Sequence, residues 1–169
     1  MKRKYHKMLA AVVCCFALLI AMSVWFATSK LSSGYEVSGG KVYFRTFDNL
    51  HWKVDRREVI GADLQTISTV SESGGRYGSD QHRVYFQGTY LTDADPGSFR
   101  ILDWRRNFSR DANHVYWKSI LLSDDTEHFQ ILSRGYSIDS RHVYFGSQIV
   151  EEADPKTFIV PGSVTSEVP

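Results

Sequence analysis

Four copies of one short phrase constrain most of what this chain can fold into. In each copy an aromatic residue lies eight positions before a tyrosine, which stands between a valine and a second aromatic residue. The copies read YEVSGGKVYF, YGSDQHRVYF, FSRDANHVYW and YSIDSRHVYF. A phrase that recurs four times in one chain predicts a repeat protein, in which each copy is one small structural unit.

The middle of the phrase predicts a tight turn. Asp80, Asp111 and Asp139 occupy this place in three copies, and the first copy has Ser-Gly-Gly at residues 38–40. Aspartate favours turns because its carboxylate accepts hydrogen bonds from backbone N–H groups further along the chain, and glycine adopts the backbone angles that turns require. Each copy is therefore expected to be a β-hairpin.

The valine-tyrosine-aromatic triplet predicts the second strand of that hairpin, because these residue types favour strands. Side chains alternate between the two faces of a strand. We expect the valines to face the core and Tyr85, Tyr116 and Tyr144 to pack between copies. A second turn and a further strand follow each hairpin. The predicted fold class is all-β: repeated three-stranded β-meander units, stacked or propeller-like, behind one N-terminal transmembrane helix.

A second motif follows the hairpins. Ala-Asp-Pro-x-x-Phe occurs at residues 94–99 and 153–158. Aspartate is a good helix N-cap and proline suits the first helical position, so the motif predicts one helical turn. The strand-like run after this corner is expected to close each copy and to lead to the next.

The first copy is longer than the others. Tyr43 lies 42 residues before Tyr85, whereas the next two intervals are 31 and 28 residues. We expect the extra residues to form an enlarged loop at residues 45–57. Insertions in repeat proteins often form the binding face.

The insertion also carries the residue types that most often dominate interfaces, tryptophan and arginine. The predicted binding surface consists of Phe47, His51, Trp52, Arg56 and Arg57. The alternative is that Phe47 and Trp52 only cap the end of the repeat array.

The N-terminal region predicts a membrane anchor. Residues 8–27, from Met8 to Ala27, contain no charge, and twenty residues at about 1.5 Å per residue can cross a bilayer as a helix. The basic flank before them favours a cytoplasmic N-terminus. A cleaved signal peptide is the alternative. The predicted organisation is a cytoplasmic segment, a membrane anchor, a linker, a repeat domain on the outer side of the membrane and a disordered tail, at residues 1–7, 8–27, 28–34, 35–160 and 161–169.

Charge and cysteine usage narrow the partners. Five of the 20 lysines and arginines but none of the 19 acids lie in residues 1–30, so the remainder carries a net charge of about −4. An acidic surface argues against nucleic acid as a partner. Cys14 and Cys15 both fall in the predicted anchor. The outer domain therefore has no disulfide and must be stabilised by its own core.

No catalytic, metal or cofactor motif emerges. The sequence has no Gly-x-Ser-x-Gly, no glycine-rich phosphate loop and no cysteine nucleophile beyond the anchor. His82, His114 and His142 recur near one place in the phrase, but residues from successive copies lie along a row and would not converge on zinc. The acidic pairs at 124–125 and 151–152 occupy turns. We expect a protein that is not an enzyme.

The Asp-x-x-His-Val-Tyr phrase at residues 111–116, together with the two Ala-Asp-Pro-x-x-Phe corners, resembles the DKNYY family of bacterial repeat proteins. The resemblance covers residues 35–160 and implies an envelope-associated protein, with no catalytic residue to carry over. The expected function is that of a membrane-anchored, non-catalytic module that binds an envelope protein or glycan. The alternative is an immunity-type inhibitor of a toxin that acts in the periplasm.

Overall fold

The fold is described by a computed structural model, which covers residues 34–48 and 50–163. These residues form β-strands and turns and contain no helix, which confirms the all-β class for this part of the chain. The predicted anchor at residues 8–27 lies outside it, with the flanking segments 1–7 and 28–33. No helix among the described residues is long and apolar enough to span a bilayer. The strands, numbered in chain order, are β1 (Gly34–Ser38), β2 (Lys41–Asp48), β3 (Lys53–Glu58), β4 (Ser68–Thr69), β5 (Tyr77–Ser79), β6 (Val84–Phe86), β7 (Thr89–Tyr90), β8 (Arg100–Asp103), β9 (Phe108–Arg110), β10 (Val115–Trp117), β11 (Ile120–Ser123), β12 (Gln130–Ile131), β13 (Tyr136–Ile138), β14 (Val143–Phe145) and β15 (Gln148–Ile149).

The strands form four small antiparallel sheets, one for each copy of the phrase, and the described strands close no barrel. The first sheet has three strands in the order β1-β2-β3, and each later sheet has four consecutive strands. The prediction of three-stranded units is therefore wrong for the last three copies. The run after each corner pairs with the hairpin that follows it, as Ser68 and Thr69 do with Ser79 and Gly78, and so adds a fourth strand.

The first copy also differs from its prediction. Residues 45–57 do not form an enlarged loop, because β2 and β3 pair without a break from Tyr43 opposite Glu58 to Asp48 opposite Lys53. The extra residues lengthen the hairpin. Aromatic, β-branched and arginine side chains continue along both strands, and these residues sustain a ladder of backbone hydrogen bonds better than an open loop.

The Asp-Pro corners are turns, and the predicted helical turn does not form. The Asp95 carboxylate accepts hydrogen bonds from the Gly97 N–H at 3.0 Å and from the Ser98 hydroxyl at 2.6 Å. Asp154 does the same with the Lys156 N–H and the Thr157 hydroxyl. The capping chemistry is as predicted, but the next strand begins before a helix can propagate.

The core contains side chains from both faces of the hairpin's second strand. Val84, Val115 and Val143 are completely buried. The repeated tyrosines on the opposite face are buried as well. Side chains on both faces of the hairpin's second strand are therefore buried.

The tyrosines pack against the preceding sheet. Tyr85 lies in one buried cluster with Val42 and Phe44 of the first sheet. Tyr116 belongs to a cluster whose other buried members all come from the second repeat, and Phe99 packs beside its ring. These contacts join each repeat to the next by burying large aromatic rings, which dominate core energetics.

The C-terminal end of the described chain is also attached. The Arg134 guanidinium donates hydrogen bonds to the carbonyl oxygens of Pro161 and Gly162, at 3.2 and 2.9 Å. These contacts hold Pro161 and Gly162 against the last repeat. Residues 164–169 lie outside the described chain.

Candidate functional site

The repeated aspartate and tyrosine form one closed unit in each of the last three copies. The Asp111 carboxylate, only 2% of whose residue surface is exposed, accepts backbone hydrogen bonds from Asn113 and His114 at 2.8 and 2.7 Å. It also accepts one from the Tyr116 hydroxyl at 3.0 Å and one from the Asp95 N–H at 3.0 Å. One side chain therefore holds the turn, the following strand and the preceding corner.

The other two copies repeat this arrangement. The Tyr85 hydroxyl donates to Asp80 at 2.7 Å, and the Tyr144 hydroxyl donates to Asp139 at 2.6 Å. In the last copy the Ser123 hydroxyl, instead of a backbone N–H, donates to Asp139 at 2.6 Å. Ser123 thus replaces the backbone N–H of the corner as the donor to the repeated aspartate.

Hydrogen bonding also sets the protonation of these pairs. Burial pushes the pKa of Asp111 upward, but hydrogen bonds from the Asp95, Asn113 and His114 backbone and the Tyr116 hydroxyl outweigh it, so this pKa lies below its ordinary value. Burial, reinforced by the Asp111 charge, raises the pKa of Tyr116. At neutral pH Asp111 is therefore a carboxylate and Tyr116 a neutral phenol. Their hydrogen bonds are made to groups within the protein.

The long first hairpin has the opposite character, because all six residues of β3 are exposed. Tyr43, Arg45 and Phe47 lie on one face of the sheet because side chains alternate along β2. Arg56 and Val54 of β3 pair with Arg45 and Phe47 and therefore lie on the same face. This is named the outer face of the first hairpin. It consists of Glu36, Tyr43, Arg45, Phe47, Val54 and Arg56.

A charged and aromatic cluster occupies the centre of the outer face. The Arg56 guanidinium lies 4.3 Å from the centroid of the Tyr43 ring, within the range of a cation–π contact. Its Nε lies 2.7 Å from Glu36 Oε1, and Arg45 Nε lies 3.9 Å from Glu36 Oε2. The cluster holds a planar guanidinium, an aromatic ring and a carboxylate at the surface, where a partner's polar groups can reach them.

The tip of the hairpin is apolar and exposed. Leu50 is 82% exposed and Trp52 is 79% exposed. The Trp52 ring lies 6.0 Å from the Phe47 ring, nearly edge-on, and its backbone φ of 51° is uncommon for a residue other than glycine. His51 lies beside them, with Nδ1 2.6 Å from Asp48 Oδ2, and this hydrogen bond lowers the pKa of Asp48.

The structure thus divides the five predicted binding residues into three places. Arg56 lies on the outer face, Phe47 joins that face to the tip, and His51 and Trp52 lie at the tip. Arg57 pairs with Phe44 and so lies on the opposite face of the sheet from Arg56. Both arginines line one pocket with Gln87, so Arg56 and Arg57 are neighbours, whereas His51 and Trp52 lie apart at the tip.

The sequence-based prediction did not include Leu50 at the tip or four members of the outer face, which are Glu36, Tyr43, Arg45 and Val54. Tyr43 and Glu36 could have been identified from the strand register. When the hairpin continues past Phe44, alternate residues of its three strands lie on one exposed face. Leu50 lies two residues before Trp52 in the chain, and a single exposed leucine is too common on protein surfaces to have marked it.

A second concave region lies between the last two sheets. His114, His142, Arg141 and Asp124 line it, with Leu121 among the apolar residues. Arg141 and Asp124 form an ion pair across it. Among the described residues no group of three histidine, cysteine, aspartate or glutamate side chains is placed to bind a metal ion.

These observations define a class of protein: an all-β chain of consecutive small sheets in which each of the last three repeats is closed by a buried aspartate–tyrosine pair. The model of the DKNYY family matches residues 35–165, and the chain belongs to this family. Comparison with curated proteins found no match. Comparison with solved structures found none either.

Proposed function

We propose that this protein is a non-catalytic binding module of the bacterial envelope, anchored in the inner membrane by residues 8–27, with its repeat domain in the periplasm or outside the cell. Four packed repeats form the scaffold, and the outer face of the first hairpin binds an envelope protein or a glycan. The observation that carries the proposal is the contrast between this open face and the closed repeat units.

The closed units argue against catalysis at the repeated motif. A catalytic carboxylate must reach a substrate proton or carbon, whereas Asp80, Asp111 and Asp139 are buried and hydrogen-bonded to their own turns. The tyrosines are equally engaged. The periodic residues therefore serve packing, and a binding role falls to the part of the chain that departs from the period.

The outer face has the composition of a binding surface. Arg56 and Tyr43 supply an arginine and an aromatic ring in fixed contact, and these residue types are enriched among those that dominate binding energy. Glu36 holds the guanidinium at 2.7 Å, which limits the side-chain entropy lost on binding. The scaffold behind this face is proposed to be an open row, since each tyrosine contact joins neighbouring repeats.

The topology is tested by protease treatment of spheroplasts that produce the full-length chain. External protease should remove the repeat domain and leave a short protected fragment containing the N-terminus. Complete protection of the domain would refute the orientation. A soluble mature protein that lacks residues 1–27 would show instead that the apolar segment is a cleaved signal.

The binding surface is tested by Arg56→Ala in the full-length protein. Capture of partners from envelope extracts, or binding to purified peptidoglycan, should fall about tenfold or more, since this requires a loss of only about 1.4 kcal/mol. The melting temperature should hardly change, because the side chain is substantially exposed.

Arg105→Ala is the matched control. Arg105 is also exposed and lies 5.4 Å from the Trp104 ring, but outside the first sheet. Its substitution should leave capture intact. Equal losses for the two variants would contradict a binding role for the outer face, and specific capture of a secreted toxin would identify the immunity-type inhibitor.

A further inference from the structure

At the hairpin tip an apolar cluster extends beyond the outer face, from Phe47 and Val54 to Trp52 and Leu50. Leu50, Trp52 and Val54 are exposed within a span of five residues, and Phe47 packs against Trp52. Single exposed apolar residues are common on protein surfaces, whereas clustered ones mark a contact with another phase or molecule. The tip therefore needs an occupant.

The charges around this cluster are paired among themselves. Asp48 Oδ2 is already engaged, 2.6 Å from His51 Nδ1. Lys53 Nζ lies 2.8 Å from Asp55 Oδ1. The tip consequently presents apolar side chains with little net charge, which favours an apolar occupant over a charged polymer.

The register shows where the chain enters the domain. Gly34, the first described residue, lies opposite Arg45 of β2, and β1 runs antiparallel to β2. Strand β1 therefore begins at the end of the sheet that carries the tip. Asp48 is three residues beyond Arg45, a distance of about 10 Å along a strand.

The anchor and the tip are thus close along the chain. Six residues separate Ala27, at the end of the proposed anchor, from Gly34, and six residues span at most about 20 Å. Because β1 begins at the tip end of the sheet, an anchor that ends at Ala27 would place the end of the domain that carries Leu50 and Trp52 nearest to the membrane surface.

We propose that the tip of the first hairpin inserts into the outer interface of the bilayer in which the chain is anchored, with Trp52 and Leu50 as the inserted side chains. Tryptophan favours this layer because its ring is apolar and its indole N–H remains able to form hydrogen bonds. The inference rests on the proposed anchor and extends it: two attachments would fix the orientation of the repeat domain and hold its outer face beside the membrane.

The test uses the full-length protein reconstituted in phosphatidylcholine vesicles, with and without brominated acyl chains that quench tryptophan fluorescence on contact. The wild type is compared with Trp52→Phe, which should fold normally because Trp52 is exposed. Subtraction of the two emission spectra isolates Trp52 and cancels the other tryptophans. The Trp52 component should be shifted to short wavelength and quenched by the brominated lipid. Leu50→Asp should reduce both effects.

Trp104→Phe is the control for the subtraction. Trp104 is 42% exposed but lies outside the first sheet, so its component should be shifted to long wavelength and unaffected by brominated lipid. Extraction of the vesicles with alkaline carbonate measures the anchor separately, since a membrane-spanning chain is retained.

The outcomes separate the two proposals. A retained chain whose Trp52 emits at long wavelength without quenching overturns the insertion alone. A short-wavelength, unquenched Trp52 also overturns it, because protein and not lipid then covers the tip. Release of the chain by carbonate overturns the anchor, and the insertion with it.

Discussion

Tyr116→Ala should lower the free energy of unfolding by about 3–5 kcal/mol, the range for removing a large buried aromatic side chain. Tyr116 is completely buried among residues of the second repeat, next to the Phe99 ring. Its loss would leave a cavity between two repeats and would also remove the hydroxyl that donates to Asp111. Urea denaturation of the full-length protein in detergent, followed by near-ultraviolet circular dichroism, measures the change.

Tyr43→Ala is the matched control, because it removes the same side chain from the equivalent position of the first copy. Tyr43 is only partly buried, and it contacts the exposed Arg56 instead of a preceding sheet. We expect a loss of about 1 kcal/mol, typical of a partly exposed site. Equal losses at the two positions would show that the tyrosine does not derive its stabilising effect from contact with a preceding repeat.

Tyr116→Phe separates the ring from the hydroxyl. It keeps the packing and removes one hydrogen bond to a charged acceptor, so a loss of about 1.5–3 kcal/mol is the range expected. A phenylalanine variant as unstable as the alanine variant would assign the whole effect to the hydrogen bond.

The sequence was most informative where the physics is local. The aspartate turns, the buried valines and the capped corners could be predicted because each depends on residues within about five positions. The same holds for which side chains share a face of the strand, since side chains alternate along it.

Prediction failed where pairing depends on distant residues. Ser68 and Thr69 form a strand of two residues with neither side chain buried, so nothing in their own pattern distinguishes a strand from a loop. Only their pairing with Ser79 and Gly78 defines it. Gly78 leaves space for the Tyr35 ring, which would lie 2.7 Å from an added Cβ. A separation of 43 residues concealed that contact.

The binding surface was predicted in part for a related reason. Tryptophan and arginine were identified by residue type, but the face on which each lies depends on where the hairpin turns. The tip has no glycine or proline to mark the turn, and Trp52 itself adopts the positive φ. Without that position, residues 45–57 were expected to form a loop, and the alternation that places Arg56 and Arg57 on opposite faces of a strand was not applied to them.

Asp111→Asn should cost about 2–3 kcal/mol at neutral pH. The amide retains one oxygen for the Asn113 and His114 N–H groups, but an NH₂ group replaces the oxygen that accepts from Asp95 and Tyr116. The tyrosine hydroxyl can rotate to accept from the amide, whereas the Asp95 N–H is left without an acceptor. An unsatisfied buried donor costs about 1–3 kcal/mol, and charge-assisted bonds are lost as well.

The pH dependence gives this prediction a second readout. The pKa of Asp111 is lower in the folded protein than in the unfolded chain, so its contribution to stability is present above the unfolded value of about 3.9 and is lost as pH falls through the folded value. The gap in unfolding free energy between wild type and Asp111→Asn should therefore be largest near neutral pH and should narrow below about pH 4. Asp55→Asn, at an exposed ion pair with Lys53, should change stability by less than about 1 kcal/mol. A gap for Asp111→Asn that stays constant into acid would mean that the carboxylate charge does not hold the turn, and the aspartate–tyrosine unit would then act through shape alone.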